Sequence, residues 1–175
     1  MIILSDLVQG SPEWLTEKLG KPSASRFSEI ITTTGKPSDS RVGYMYELAA
    51  EAVSGLPTPE KFKSGYMQEG NDREPESRAL YEMLYNVEVA QCGVIYRDEY
   101  KLFLCSPDGL PPGYGLEMKN VLPKTQVKYL LAGTLPMDYW QQVQGSLSLT
   151  GYARWDFLSY APGLPPLIIE VKRDD

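Results

Sequence analysis

The stretch Cys105–Lys119, "CSPDGLPPGYGLEMK", decides how the rest of the chain is read. Pro107, Asp108 and Gly109 between two apolar runs form a turn with a mechanism: Pro presets one dihedral, Asp bonds back to nearby backbone, and Gly accepts positive φ. By itself Asp108 is a hinge. The strand-like "GLEMK" that follows carries more. Successive side chains on a strand face opposite ways, so Leu116 and Met118 share one face while Glu117 and Lys119 share the other. A carboxylate and an ammonium are thus held side by side, either as a solvated pair on an edge strand or as part of a site.

Composition narrows the chemistry open to such a site. The chain has 175 residues, 42% of them hydrophobic and 23% charged, which suits one soluble domain, residues 1–175. The opening "MIILSDLVQGSPEW" has no basic region followed by an apolar stretch, and no run approaches the roughly 18 apolar residues of a membrane span. A cytoplasmic protein without membrane contact is expected. The two cysteines, Cys92 and Cys105, are too few for a disulfide framework, a four-cysteine metal site or an iron–sulfur cluster, and are expected as buried thiols. Histidine is absent, which removes Ser-His-Asp and Cys-His schemes. Hydrolytic chemistry here must run on carboxylates, Lys, Tyr and hard, oxygen-bound metals. A net charge of −6 speaks against coating nucleic acid by charge alone, yet permits a compact site in which metal ions meet phosphate.

Working outward, Ser11 with Pro12 predicts an N-cap and a helix over "PEWLTEKL" stopped by Gly20, with a short helix from Ser23 through "ASRFSEII". "VGYMYELAAEAVSG" has helical spacing and ends on Gly55. "SGYMQEGNDREPESRALYEMLYN" is helical in period, and Pro75 predicts a kink near Glu74. "VEVAQCGVIY", "KLFLCS" and "GLEMKNV" read as consecutive antiparallel strands. Helical "TQVKYLLAG" and "MDYWQQVQGSLSLTG" follow, then strands "RWDFLSYA" and "LIIEVK". The order indicates an α+β or mixed α/β fold with helices covering a sheet.

Asp108, Glu117 and Lys119 together suggest a metal-dependent hydrolase. Cleaving a phosphodiester requires a water made nucleophilic and a leaving oxygen relieved of charge, and two Mg²⁺ ions roughly 4 Å apart on hard carboxylates do both. An ammonium beside them orients the water or neutralises the phosphorane. The gap between the Asp and the Glu-x-Lys varies widely among such sites, so the pattern alone is moderately specific.

"VIYRDEYKLFLCSPDGLPPGYGLEMK" closely resembles the lambda-type phage exonucleases, the YqaJ-like viral recombinases within the restriction-endonuclease-like PD-(D/E)xK superfamily. "SPEWLTEKLGKPSASRFSEII", "MQEGNDREPESRALYE" and "DYWQQVQGSLSLTG" are similar to further motifs of that family, in the same order. The resemblance implies a restriction-endonuclease-like α/β core with a central mixed five-stranded sheet flanked by helices. It also implies a Mg²⁺-dependent exonuclease, with Mn²⁺ as a substitute, that digests linear double-stranded DNA 5′ to 3′, releases 5′-mononucleotides and leaves 3′ overhangs for phage-type recombination. Runner-up readings are an endonuclease of the same superfamily and an inactive protein that binds DNA ends. Further implications are a homotrimeric ring around DNA, a single-strand annealing protein as partner, and the cytoplasm of a bacterial host.

Residue by residue, the resemblance makes Asp108 the carboxylate bridging two metals, Glu117 a ligand of one, the Met118 carbonyl a further ligand and Lys119 the catalytic lysine. Glu74 corresponds to a helix-borne glutamate near the metals; read alone it is a charge on a solvated face. Ser25 matches a serine that contacts the 5′-phosphate, and Gln142, the glutamine of the helix behind the site, is grouped with the DNA and 5′-phosphate contacts. Lys18 stands where the family often has a phosphate-binding arginine. Lysine binds phosphate as a point charge without the bidentate fork, so Arg26, beside Ser25, is the alternative phosphate contact.

Overall fold

Two small sheets, joined by loops and covered by helices, organise the chain. The computed structural model describes residues 1–58 and 72–174. The first sheet is antiparallel, with β1 (Ile2–Leu4) on β2 (Val94–Tyr96) and β2 on β3 (Leu104–Cys105). In the second, β4 (Gly115–Asn120) runs parallel to β5 (Arg154–Tyr160), and β6 (Leu167–Lys172) pairs antiparallel to β5. A parallel pair needs a long crossover. Helices α4 (Pro123–Ala132) and α5 (Trp140–Thr150), with a 3-10 turn Met137–Tyr139 between them, supply it.

The mixed α/β class agrees with the sequence reading, but the expected five-stranded sheet does not form: among the described residues the strands divide three and three. Nor is β4 the third strand of an antiparallel run. Pro107, Pro111 and Pro112 have no N–H to give to a ladder, so β3 ends after two residues and the chain restarts as β4. Isolated bridges Ala90–Leu110 and Gly109–Leu116 span the gap. Strand β1 has no counterpart in the sequence reading.

The helical expectations hold with local changes. In α1 (Pro12–Lys18), Ser11 accepts from the Trp14 N–H at 3.2 Å, and the Trp14 indole donates to the Gly93 carbonyl at 2.9 Å, tying the helix to the first sheet. The segment Ala24–Glu29 is a 3-10 helix. Helix α2 (Arg41–Ser54) ends on Gly55 at φ 67°, the left-handed conformation that a Gly C-cap adopts without strain. Helix α3 (Glu74–Tyr85) has Pro75 in its first turn, where a missing N–H costs no hydrogen bond; the expected helix before residue 72 lies outside the described residues. Among the described residues no helix is long and apolar enough to cross a membrane.

Strand alternation divides the interior. Leu116, Met118 and Leu158 pack with Tyr81 of α3 on one face of the second sheet. Trp155 packs with Val143 and Leu147 of α5 on the other, together with Ile95, Cys92 and Cys105. Both cysteines are free and buried, as expected, and burial pushes the Cys92 thiol up to about 12. Helix α5 also seats the 3-10 helix: a Cβ on Gly145 would stand 2.4 Å from the Phe27 ring, so only Gly permits this approach.

Candidate active site

The Pro107–Gly109 turn and strand β4 come together at the edge of the second sheet. Strand β4 pairs only with β5 in that sheet, leaving its other edge to the Asp108 turn. The Met118 N–H donates to Asp108 Oδ2 at 2.6 Å, while Leu116 exchanges backbone hydrogen bonds with Gly109. N–H and C=O of one strand residue point to the same side. The Met118 carbonyl therefore also lies on the Asp108 edge, as a further ligand would require.

Glu117 and Lys119 share the opposite face from Leu116 and Met118, as alternation predicts, but they are not a solvated pair. Glu117 is 1% exposed. Its Oε1 accepts from the Lys119 ammonium and, at 2.6 Å, from the Gln142 amide on α5. The half-buried Asp108 carboxyl lies near enough for its charge to act on Glu117. Burial, reinforced by the Asp108 charge, pushes Glu117 from the ordinary 4.5 to about 7. Burial likewise raises Asp108, against the opposing pull of Lys119, the Met118 N–H and Arg78. For Lys119 burial disfavours the charge, but Glu117 and Asp108 outweigh it and hold the ammonium above the ordinary lysine value. Lys119 is a cation here, not a base.

Glu74, at the start of α3, belongs to the same electrostatic group. Its carboxyl is raised by burial and then by the Asp108 charge, with Lys119 and Arg78 pulling the other way. Arg78, one turn on, pairs with Glu74 and donates to the Asp108 carbonyl at 2.9 Å. The sequence reading did not single out Arg78; its i,i+4 spacing from Glu74 is the only signal pointing to it. Tyr139 was also missed. It lies with its ring under the Lys119 ammonium, 5.3 Å from Nζ to centroid.

The proposed phosphate contacts lie on α1 and on the 3-10 helix. Ser25 is exposed in the 3-10 helix, its hydroxyl 3.1 Å from that of Ser23. Ser23 bridges to Leu104 of β3, the strand that runs on to Asp108, so the 3-10 helix is anchored to the strand that leads to the carboxylates. Lys18 places its ammonium 3.7 Å from the Trp14 ring centroid. The Arg26 fork is occupied by acidic partners, Nη2 reaching Glu47 at 2.8 Å and Nε reaching Glu29 at 2.5 Å, and it stacks on Tyr44. Gln142 is not among these residues; its amide is on Glu117.

The donor set fits a hard divalent cation. Two neighbouring carboxyl groups ionise together at lower cost where a cation offsets their repulsion. Asp108 and Glu117 would hold it through oxygens, with the Met118 carbonyl on the same edge and Glu74 beside them. Among the described residues no three acidic or thiol side chains form a metal cage by themselves, so water or substrate oxygens would fill the remaining positions.

Known proteins resemble the chain over most of its length. An alkaline exonuclease from Laribacter hongkongensis is similar with a TM-score of 0.83 and 30% identity, over 94% of this chain and 84% of that one. The same enzyme in complex with dAMP gives a TM-score of 0.82, again at 30% identity over 94% and 84% of the two chains. A phage related exonuclease from Haemophilus somnus 129PT shares the fold, with a TM-score of 0.61 at 16% identity over 88% of this chain and 85% of that one. No curated protein matches. Residues 13–153, spanning every site residue discussed, match the YqaJ-like viral recombinase domain, and the chain belongs to that family.

Proposed function

We propose that the chain is a metal-dependent deoxyribonuclease, an exonuclease of the phage recombination type. The observation that carries this reading is the buried Glu117 carboxyl beside the half-buried Asp108 turn, with the Lys119 ammonium on Glu117 and the Met118 N–H on Asp108. The family and the likeness to an alkaline exonuclease support it. The dAMP found with that enzyme is a deoxynucleoside monophosphate, the kind of product stepwise removal releases.

Each residue then has a task. Asp108 and Glu117 hold Mg²⁺, two ions by family resemblance, with Mn²⁺ as a substitute. When bound, the metal supplies a nucleophile at neutral pH and offsets charge on the leaving oxygen. Gln142 and the Met118 N–H keep the two carboxylates in place by occupying Glu117 Oε1 and Asp108 Oδ2. Lys119, held protonated by its acidic neighbours, places a positive charge where the pentavalent phosphorane becomes most negative. Arg78 ties the start of α3, and with it Glu74, to the Asp108 turn.

The substrate is linear double-stranded DNA, degraded 5′ to 3′ to 5′-mononucleotides with a 3′ overhang left for recombination. A ring of three subunits around the duplex, serving a single-strand annealing protein, completes the reading; it reconciles the net charge of −6 with DNA binding, because only the channel must be basic. Incubation of labelled linear and closed circular duplex with Mg²⁺ tests the activity. Mononucleotides from the linear form alone are expected. Cutting of the circle would assign an endonuclease instead, and no cleavage of either form would overturn the enzymatic reading.

A further inference from the structure

Lys119 has a second neighbour that neither the metal nor the substrate accounts for. Its ammonium lies 5.3 Å from the centroid of the Tyr139 ring. That ring is itself immobilised. It stacks on Phe157 with centroids 5.2 Å apart and planes at 30°. Phe157 is fully buried on β5 and stands in register with Glu117 across the parallel pair. Tyr139 closes the 3-10 turn that leads into α5, and Gln142 on the first turn of that helix binds Glu117. One short segment thus touches both members of the Glu-x-Lys.

We infer that Tyr139 is a positioning residue for Lys119, its ring face fixing where the ammonium stands during phosphodiester cleavage. The inference rests on the nuclease reading above. A lysine side chain has four rotatable bonds and loses much rotamer freedom when held. Glu117 pairs with Lys119, and the Lys119 side chain keeps 27% of its surface exposed. A ring face attracts an ammonium without supplying a proton acceptor along its own N–H directions. It fixes the charge yet leaves the three donors of Lys119 for oxygen. Because Phe157 sets the ring beforehand, placing the charge requires no rearrangement when substrate arrives.

The test compares Tyr139→Phe, Tyr139→Leu and pentafluorophenylalanine at position 139, which keeps the shape of Phe but reverses the charge distribution of the ring face. Steady-state kinetics on linear duplex with Mg²⁺ are measured beside the side-chain NMR signal of the Lys119 ε-methylene, identified by its loss in Lys119→Met. Tyr139→Phe is expected to keep kcat within about twofold and to keep the ring-shifted ε signal. The leucine and fluorinated variants should lose kcat by about tenfold with little change in KM, and in the leucine variant the ε signal should move to the ordinary lysine position. Unchanged kcat in folded leucine and fluorinated variants would overturn the inference, as would a phenylalanine variant as slow as the leucine one. Should the leucine variant not fold, the phenylalanine and fluorinated pair, alike in shape, decides. A wild type inactive on DNA would overturn the nuclease reading and with it the kinetic role. In that case an ε signal without ring shift also removes the contact, whereas a shifted one retains the ring as holder of the ammonium.

Discussion

The Met118 N–H donates to Asp108 Oδ2 at 2.6 Å, joining residues ten apart in the chain. An edge amide of β4, which has no partner strand on that side, thereby orients the carboxylate of a turn. The hinge and the site are one device, because the same hydrogen bond closes the turn and holds the Asp108 carboxylate against the strand that carries Glu117.

Asp108→Asn separates these two roles. The amide oxygen of Asn still accepts from Met118, so the fold and the melting temperature should stay near wild type. The negative charge that holds metal is lost, and hydrolysis of linear duplex should fall by at least about a hundredfold. Activity within tenfold of wild type would return Asp108 to a purely structural turn residue.

Glu117 makes metal-free stability pH-dependent. Its folded value is raised from 4.5 to about 7, so between these values the folded state binds more protons than the unfolded state. The stability this group contributes is complete below 4.5 and is lost as pH rises through 7. In chelator, Glu117→Gln should therefore melt higher than wild type at pH 8, the gap closing as pH falls toward 4.5. Added Mg²⁺ should raise the melting temperature of the wild type at pH 8 and leave Glu117→Gln nearly unmoved. Melting curves across pH, with and without Mg²⁺, check both statements.

On the proposed reading Gln142 orients a carboxylate rather than touching DNA. Its amide takes one position on Glu117 Oε1 at 2.6 Å. Gln142→Ala should weaken Mg²⁺ activation by about ten- to a hundredfold, the usual cost of removing a partner that orients a ligand. The affinity for DNA ends, measured in Ca²⁺ or chelator, should hardly change. A large loss of end binding would place Gln142 at the phosphate instead.

The two cations proposed for the 5′-phosphate have different partners. Arg26 is tied to Glu29 and Glu47, and Arg26→Ala should lower the melting temperature and slow 5′-phosphorylated and 5′-hydroxyl duplexes alike. Lys18→Ala should slow only the phosphorylated substrate, narrowing the preference by about tenfold, the size of one charge-assisted hydrogen bond. Initial rates on matched duplexes distinguish these outcomes; equal slowing by both variants would move phosphate recognition to other residues.

Gly145 offers a check on the seat of the 3-10 helix. A methyl there meets Phe27 at 2.4 Å, so Gly145→Ala should cost about 1–3 kcal/mol in overpacking, read by denaturant titration. Phe27 lies in the same 3-10 helix as Ser25 and Arg26, so the displacement should also reduce discrimination between 5′ ends.

Local chemistry was enough to read several features from residues alone. The Ser11 cap, the Gly55 stop, the Asp108 turn and the alternation that separates Leu116 and Met118 from Glu117 and Lys119 depend on neighbours a few residues away, and the structure keeps each of them. Family resemblance drew attention to Glu74 and Gln142, which by period and polarity alone look like surface positions. Tertiary structure decided what no local pattern encodes. Three prolines in residues 107–112 ended one sheet and opened another, so β4 found a parallel partner forty residues away in sequence register, Gly115 opposite Trp155. That pairing buried Glu117 beneath α5, and burial with the Asp108 charge raised its carboxyl. It also brought Arg78 to the Asp108 carbonyl and Tyr139 to the Lys119 ammonium. Electrostatic energy depends on distance through space and on exclusion of water, and neither is set by spacing along the chain.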